Sequence, residues 1–203
     1  MILTTAASNG TPNAAPMGVW VGEDWSLVLR PFRDTATARN LAQMPEAVIN
    51  ITNDSALFFR TAFKDEVSAK EELPFEASQT VEVPRLHGML AYLEVGVEPR
   101  QSPKAAKEPK SEVDVLEYEC SVHSIDAPNQ PPVVYSRARC AAIEAVIHAT
   151  RIRALHASDP AKSKQLLAQI QECRALVQRV APASPHARVV EDTLRLVHRW
   201  MKA

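Results

Sequence analysis

The apolar positions of this chain change their period near residue 130. Before it they form short blocks or strict alternations, as strands do; beyond residue 136 they recur every three or four positions, as helices require. The first block covers residues 2–7 and is followed by Ser8-Asn9-Gly10-Thr11 and a second block over residues 12–21. Asn9-Gly10 predicts a tight two-residue hairpin turn, whose central positions both need positive φ. Pro12 and Pro16 keep the second block from being an ordinary central strand. A third strand is predicted over Ser26-Leu27-Val28-Leu29-Arg30, a short helix over residues 35–44 and a fourth strand over residues 47–52. Asn53-Asp54-Ser55 then caps a helix carrying Leu57, Phe58 and Phe59. Residues 79–83, 86–98 and 113–122 read as further strands, and the polar residues 101–111, with their lysines and prolines, as an exposed loop.

A proline-rich break over residues 127–132 precedes three helices. The first, over residues 136–156, has Cys140, Ile143, Ile147 and Leu155 on one broad face. Asp159-Pro160 is a cap followed by a first-turn proline, opening a helix with Leu166, Leu167, Ile170, Cys173 and Leu176 or Val177 on its apolar side. Ser184-Pro185 repeats the signal ahead of Val190, Leu194, Val197 and Met201. The expected organisation is α+β: a strand-rich domain over residues 1–126 and a helical extension over residues 133–203, packed on that domain or at a dimer interface.

Composition narrows the function. With 23 Lys and Arg against 24 Asp and Glu, the net charge of −1 gives no face the positive excess that a nucleic-acid protein needs. No apolar run approaches bilayer length and no basic-then-apolar leader opens the chain. Cys120, Cys140 and Cys173 are widely spaced and odd in number, which suits reduced, buried thiols in a cytoplasm better than a disulfide framework or a zinc site, so a cytoplasmic protein is expected. The five glycines form neither GxGxxG nor a P-loop, which argues against a dinucleotide-binding Rossmann domain.

The junction between the third strand and the first helix concentrates the chemistry. Arg30-Pro31-Phe32-Arg33-Asp34-Thr35-Ala36-Thr37-Ala38-Arg39-Asn40-Leu41 sets hydroxyls, guanidinium groups and an amide where a helix begins. One reading is an ordinary helix start, with Asp34 or Thr35 as N-cap and the arginines in solvent. The other is a phosphate site, because unpaired N–H groups and the helix dipole at such an end favour an anion. Small residues at 13–18 would let a flat ligand approach the backbone closely.

Three segments carry a resemblance: Asn9-Gly10-Thr11-Pro12-Asn13-Ala14-Ala15-Pro16-Met17-Gly18, the junction Arg30 to Leu41, and Val48-Ile49-Asn50-Ile51-Thr52-Asn53-Asp54. In this order they resemble the split-barrel flavoproteins and, more narrowly, the uncharacterised family designated domain of unknown function 447. The run from Ser136 to Arg151 is similar to that family as well. The resemblance implies a split β-barrel of the FMN-binding type, six-stranded, holding FMN at a homodimer interface, with a C-terminal helical extension. On this reading Thr35, Thr37, Arg33 and Arg39 take the phosphate, with help from Arg30. Asn40 bonds the ribityl chain, and the ring lies against Ala15, Pro16, Met17 and Gly18. Asn50 either reaches the ring edge or ribityl hydroxyls, or is a strand-end polar residue bonded to backbone. The implied function is a redox-active flavoprotein of unknown substrate, with flavin and a second copy of the chain as partners and no catalytic residue identified. The alternatives are a non-catalytic binder of flavin or another planar cofactor, and a protein that docks a partner through its helical tail.

Other constellations carry less. Glu144 and His148 lie four apart on one helix, a spacing that suits an ion pair as well as a metal, and no third ligand is near in sequence. No metal is therefore expected. His87, His123 and His156 read as structural, Trp20 and Trp25 beside a turn either as packing residues or as stacking near the flavin or a partner, and no Ser, Cys or His arrangement points to hydrolysis.

Overall fold

The structure, a computed structural model, describes residues 1–21, 26–66, 73–100, 115–128 and 135–202. Trp25 with its turn, the predicted loop 101–111, positions 113–114 of a predicted strand, and positions 129–132 of the proline-rich break lie outside the described residues. In chain order the elements are β1 (Ile2–Ala6), β2 (Pro12–Pro16), β3 (Val19–Val21), β4 (Leu27–Leu29), α1 (Ala36–Gln43), β5 (Glu46–Ile51) and α2 (Ser55–Ala62). They continue with β6 (Phe75–Glu76), β7 (Arg85–Leu86), β8 (Ala91–Pro99), β9 (Tyr118–Asp126), α3 (Arg137–Leu155), α4 (Pro160–Val180) and α5 (Pro185–Trp200). They form two units: Met1–Thr52 with Ala69–Gln130, and Asn53–Ser68 with Pro131–Ala203. Helix α2 lies within the first 126 residues yet groups with the C-terminal helices.

The first unit is built on one antiparallel sheet in the order β2-β1-β5-β8-β9-β4-β3. Its two edges, β2 and β3, are consecutive in the chain and separated only by Met17 and Gly18. The sheet therefore curls until one bent strand pairs with β1 at one end and with β4 at the other. Counted so, seven strands become six, the number the resemblance implies. The bend falls beside Pro16, which has no N–H to give a ladder, and Met17 N–H donates to Met1 O at 3.1 Å there. One face carries the buried cluster of Leu3, Leu29, Ala47, Ile49, Val95, Val97, Tyr118 and Cys120, into which α1 sends Leu41. Burial pushes the Cys120 thiol up to about 11, with Glu119 adding to the effect, so it stays protonated at neutral pH. Ala6, Val48, Val81, Val83 and Tyr92 cluster separately, so β5 is buried on both faces.

Several local expectations change. The β1–β2 turn is longer than two residues: residues 7–11 separate the paired Ala6 and Pro12. Gly10 takes the left-handed position at φ 81°, and Asn9 Oδ1 accepts from Thr11 N–H at 3.0 Å. The predicted strand 86–98 is broken at Gly88 (φ 77°) into β7 and β8, and β9 runs on to Asp126 rather than ending at 122.

Residues 79–83 form no strand, because N–H groups of the segment serve carboxylates instead of a ladder: Glu82 N–H donates to Glu46 Oε2 at 2.9 Å, and Gln79 and Thr80 turn to Glu94. Glu94 on β8 is 1% exposed and accepts from Gln79 N–H at 2.8 Å, Thr80 N–H at 2.6 Å and Thr80 Oγ1 at 2.7 Å. Burial alone would raise its pKa; the Thr80 hydroxyl, the two N–H groups and the nearby Arg85 charge outweigh it and hold the carboxyl below its ordinary value. Arg85 in turn donates to Glu76 at 2.7 Å and Asp126 at 2.6 Å and lies 4.2 Å from the centroid of the Tyr92 ring.

In the second unit every helix begins at a side-chain cap: Asp54, Ser136, Asp159 and Ser184 each accept from a first-turn N–H. The buried face of α3 matches the predicted one only at Leu155. Ala138, Ala141, Ala142, Ala145, Val146, Ala149 and Ile152 are packed away, whereas Cys140, Ile143 and Ile147 are only half-buried. Small side chains let α3 approach α4 and α5 closely. Ala145→Leu should overpack that seam, costing about 1–3 kcal/mol and lowering the thermal midpoint by roughly 3–10 °C in calorimetry. Among the described residues no helix is long and apolar enough to cross a membrane.

Candidate functional site

β4 delivers the chain into a turn that starts α1. Thr35 is the N-cap, as one of the two sequence readings has it: its Oγ1 accepts from Ala38 N–H at 3.2 Å and donates to Phe32 O at 2.7 Å. The first intrahelical bond is Arg39 N–H to Thr35 O at 3.1 Å. That leaves the N–H groups of Ala36 and Thr37 with no acceptor among the described residues, as expected at the first two helical positions. Arg39 is exposed, as the ordinary-helix-start reading expects. Its Nη1 donates to Asp34 O at 3.4 Å, which folds the guanidinium back to the positive end of the helix dipole. Arg33 is exposed in the same turn. The arrangement is an anion cradle of two open N–H groups with guanidinium charge beside them.

Arg30 is committed elsewhere. Its Nε donates to Glu117 Oε1 at 2.8 Å and its Nη2 makes a second bond to the same oxygen, while its guanidinium lies 4.9 Å from the centroid of the Trp20 ring. The pair closes the end of the β4–β9 ladder, so Arg30 frames the turn rather than reaching freely from it.

Behind α1 lies a buried polar network that the sequence does not announce. Asn13 Nδ2 donates to Thr5 Oγ1 and to Thr37 Oγ1, both at 3.2 Å, and Asn40 Nδ2 donates to Thr5 Oγ1 at 3.1 Å. Thr5 is 0% exposed, Thr37 2%, and Asn13 and Asn40 8% each, so these bonds form out of water and fix β1, β2 and α1 to one another. The resemblance implies Thr37 and Asn40 as ligands for a phosphate and a sugar chain; in the structure both also anchor the helix. The sequence assigns Thr5 no role and shows Asn13 only as one of the small residues 13–18. The available signal was a threonine pair, Thr4-Thr5, inside a strand whose burial is complete.

Ala15, Pro16 and Met17 are half-buried at the β2–β3 bend, and Gly18 is exposed with nothing within 4 Å of where a Cβ would stand. Open space above a backbone is what a flat ring needs. Asn13, two positions before Ala15, links this bend to α1 through Thr37. Asn50 is not brought to the same surface. It is 0% exposed, donates to Ile2 O at 3.2 Å, Val48 O at 3.0 Å and Thr4 Oγ1 at 3.2 Å, and accepts from Leu86 N–H at 2.9 Å. It holds β1, β5 and β7 together.

Nothing else in the described residues competes as a site. A cleft of about 530 Å³ between Gly10 and the 77–84 segment contains none of the residues above. Ser55 Oγ lies 2.8 Å from His186 Nδ1, but Ser55 is 2% exposed and the contact ties α2 to α5. His148 Nδ1 is buried without a partner, Glu144 is exposed, and the described residues hold no cluster of metal-ligating side chains.

Comparisons with known proteins bear on this geometry. Among curated proteins none matches the sequence. Among solved structures, the FMN-bound protein MM1853 from Methanosarcina mazei is similar over 98% of this chain and 92% of its own, at 18% identity and a TM-score of 0.71. The styrene monooxygenase flavin reductase from Pseudomonas putida S12 is similar over 64% of this chain and 81% of its own, at 15% identity and a TM-score of 0.46. The first likeness, with the curled sheet order, gives the fold: an α+β split barrel with a C-terminal helical extension. The sequence itself matches two family patterns, "Protein of unknown function (DUF447) N-terminal domain" over residues 1–126 and "Protein of unknown function (DUF447)" over residues 136–187. The chain belongs to the DUF447 family.

Proposed function

We propose that this protein is an FMN-binding flavoprotein, redox-active on a substrate still to be found. The observation that carries the reading is the first turn of α1, where the Ala36 and Thr37 N–H groups have no acceptor among the described residues and the Arg39 guanidinium folds over the same end. A dianionic phosphate fits this cradle, and Arg33 lies in the same turn to add charge. Thr35 contributes by shaping the turn, Thr37 and Asn40 by supplying a hydroxyl and an amide at its back, and Arg30 by framing it. The isoalloxazine ring lies over the bend of Ala15, Pro16, Met17 and Gly18, where small side chains leave backbone accessible. Asn50 keeps the strands in register rather than touching the flavin. The similar fold of an FMN-bound protein over nearly the whole chain supports the same reading.

Bound FMN supplies the electron chemistry; the protein supplies position, polarity and shelter. Two copies of the chain complete the site, an expectation that rests on the family resemblance. The exposed Trp20, Val21, Val122 and Ile125 give the sheet apolar surface that a second copy would cover.

Titrating FMN into the purified protein, followed by flavin fluorescence and by sedimentation, tests the reading. Saturable quenching with one FMN per chain, on a particle of twice the chain mass, is the expected result. FMN fluorescence that never responds would sink the flavoprotein reading.

A further inference from the structure

The hydrogen bonds behind α1 have a direction, and that direction bears on the anion cradle. A hydroxyl has one proton to give and lone pairs to receive with. Deeper in the helices, three buried hydroxyls spend their proton on a carbonyl one turn back: Thr61 on Leu57 O at 2.8 Å, Ser163 on Asp159 O at 3.0 Å and Thr193 on Val189 O at 2.7 Å. Thr37 is the second residue of α1, so no helical carbonyl stands one turn behind it. Its Oγ1 receives from Asn13, and no described residue takes its proton. The donor is 98% buried, unspent, and belongs to the same turn as the two open N–H groups.

We propose that Asn13 is a positioning residue for the anion cradle: by donating to Thr37 Oγ1 it commits that hydroxyl to giving its proton to a phosphate oxygen of the bound ligand. The inference rests on the reading of the α1 turn as a phosphate site. Asn13 itself touches no ligand. It acts through Thr37, and its second bond, to Thr5 Oγ1, keeps its amide from turning. Thr5 is held from the other side by Asn40, so the whole network is fixed before a ligand arrives.

Asn13→Asp is the informative change. A carboxylate can only accept, so the Thr37 proton would turn inward and be lost to the ligand. FMN and riboflavin differ by the phosphate alone, and the ratio of their dissociation constants reads the cradle while ignoring the ring. In the native protein this ratio should favour FMN. It should fall roughly tenfold or more in N13D and roughly tenfold in T37V, with riboflavin affinity moving less than about twofold. In T37V/N13D the second change should add nothing further to the ratio. Should N13D not fold, N13A lets the hydroxyl rotate and should lower the ratio by about threefold.

An N13D loss that persists in the T37V background would be charge repulsion and would overturn the proposal. Equal weakening of FMN and riboflavin would overturn it as a merely structural role. A ratio that T37V lowers and both Asn13 variants leave intact would overturn it while sparing the phosphate reading. A native protein that binds the two flavins equally would remove the phosphate reading itself, and this proposal with it.

Discussion

Replacing Thr35 and Thr37 together with alanine is expected to weaken FMN binding by roughly a hundredfold, while riboflavin binding shifts by no more than about threefold. The two threonines contribute differently. Thr37 loses a hydroxyl whose proton is unspent, and a hydrogen bond to a charged acceptor contributes about 1.5–3 kcal/mol. Thr35 loses both of its bonds, the one to Phe32 O that shapes the turn and the one from Ala38 N–H that caps the helix. An N-cap deletion costs about 1 kcal/mol in helix stability, and here it also frees the end of the helix that faces the phosphate. Fluorescence titrations with both flavins measure the effect. Full retention of FMN by the double variant would mean that the phosphate is bound elsewhere.

The largest expected effect on stability is at Glu94. Its carboxylate takes three donors out of water, and Glu94→Gln would turn an amide N–H toward at least one of them. Leaving a buried donor unsatisfied costs about 1–3 kcal/mol, more against a charged partner, so a drop of roughly 5–10 °C in thermal midpoint is expected. The pH dependence has a definite sign. The folded pKa lies below the ordinary carboxylate value, so the unfolded chain takes up the proton first on acidification. The stabilisation is complete above about pH 4.5 and is lost as pH falls through the folded pKa. Thermal melts from pH 6 down to about pH 3 should show the native protein losing more stability than E94Q over that window. Parallel curves would rule out Glu94 as the titrating anchor.

What the sequence discloses is what neighbours in the chain decide. Every helix start was legible, because Thr35, Asp54, Ser136, Asp159 and Ser184 act on N–H groups two or three residues away. The strand β5 and the segment that begins α1 were legible for the same reason. The misreadings involve distant partners. Residues 79–83 alternate like a strand and bury Val81 and Val83, but the N–H groups of Gln79 and Thr80 answer to Glu94, fourteen or more positions on, and that of Glu82 to Glu46, 36 positions back. Arg30 looks like a free cation until β9 brings Glu117 to it across 87 positions. In α3 the alanines at 138, 141, 142, 145 and 149 take most of the buried face and leave Ile143 and Ile147 half-buried, because only small side chains let neighbouring helices pack closely there. The candidate site divides in the same way. Its front, the Thr-Ala-Thr turn, is local; its back, Thr5 and Asn13, exists only once β1, β2 and α1 meet.

The placement of α2 affects how the protein must be made. Synthesis delivers Leu57, Phe58 and Phe63 early, yet their unit is finished only when α3, α4 and α5 have left the ribosome. Trp200, whose ring centroid rests 5.5 Å from that of Phe63, arrives 137 positions after it. The sheet waits as well, since β4 has no neighbour on its inner side until β9 appears. Neither unit can close in the order of translation. A nascent chain halted after β9 would carry α2 with its apolar face bare, a natural target for chaperones and a reason for truncated products to aggregate.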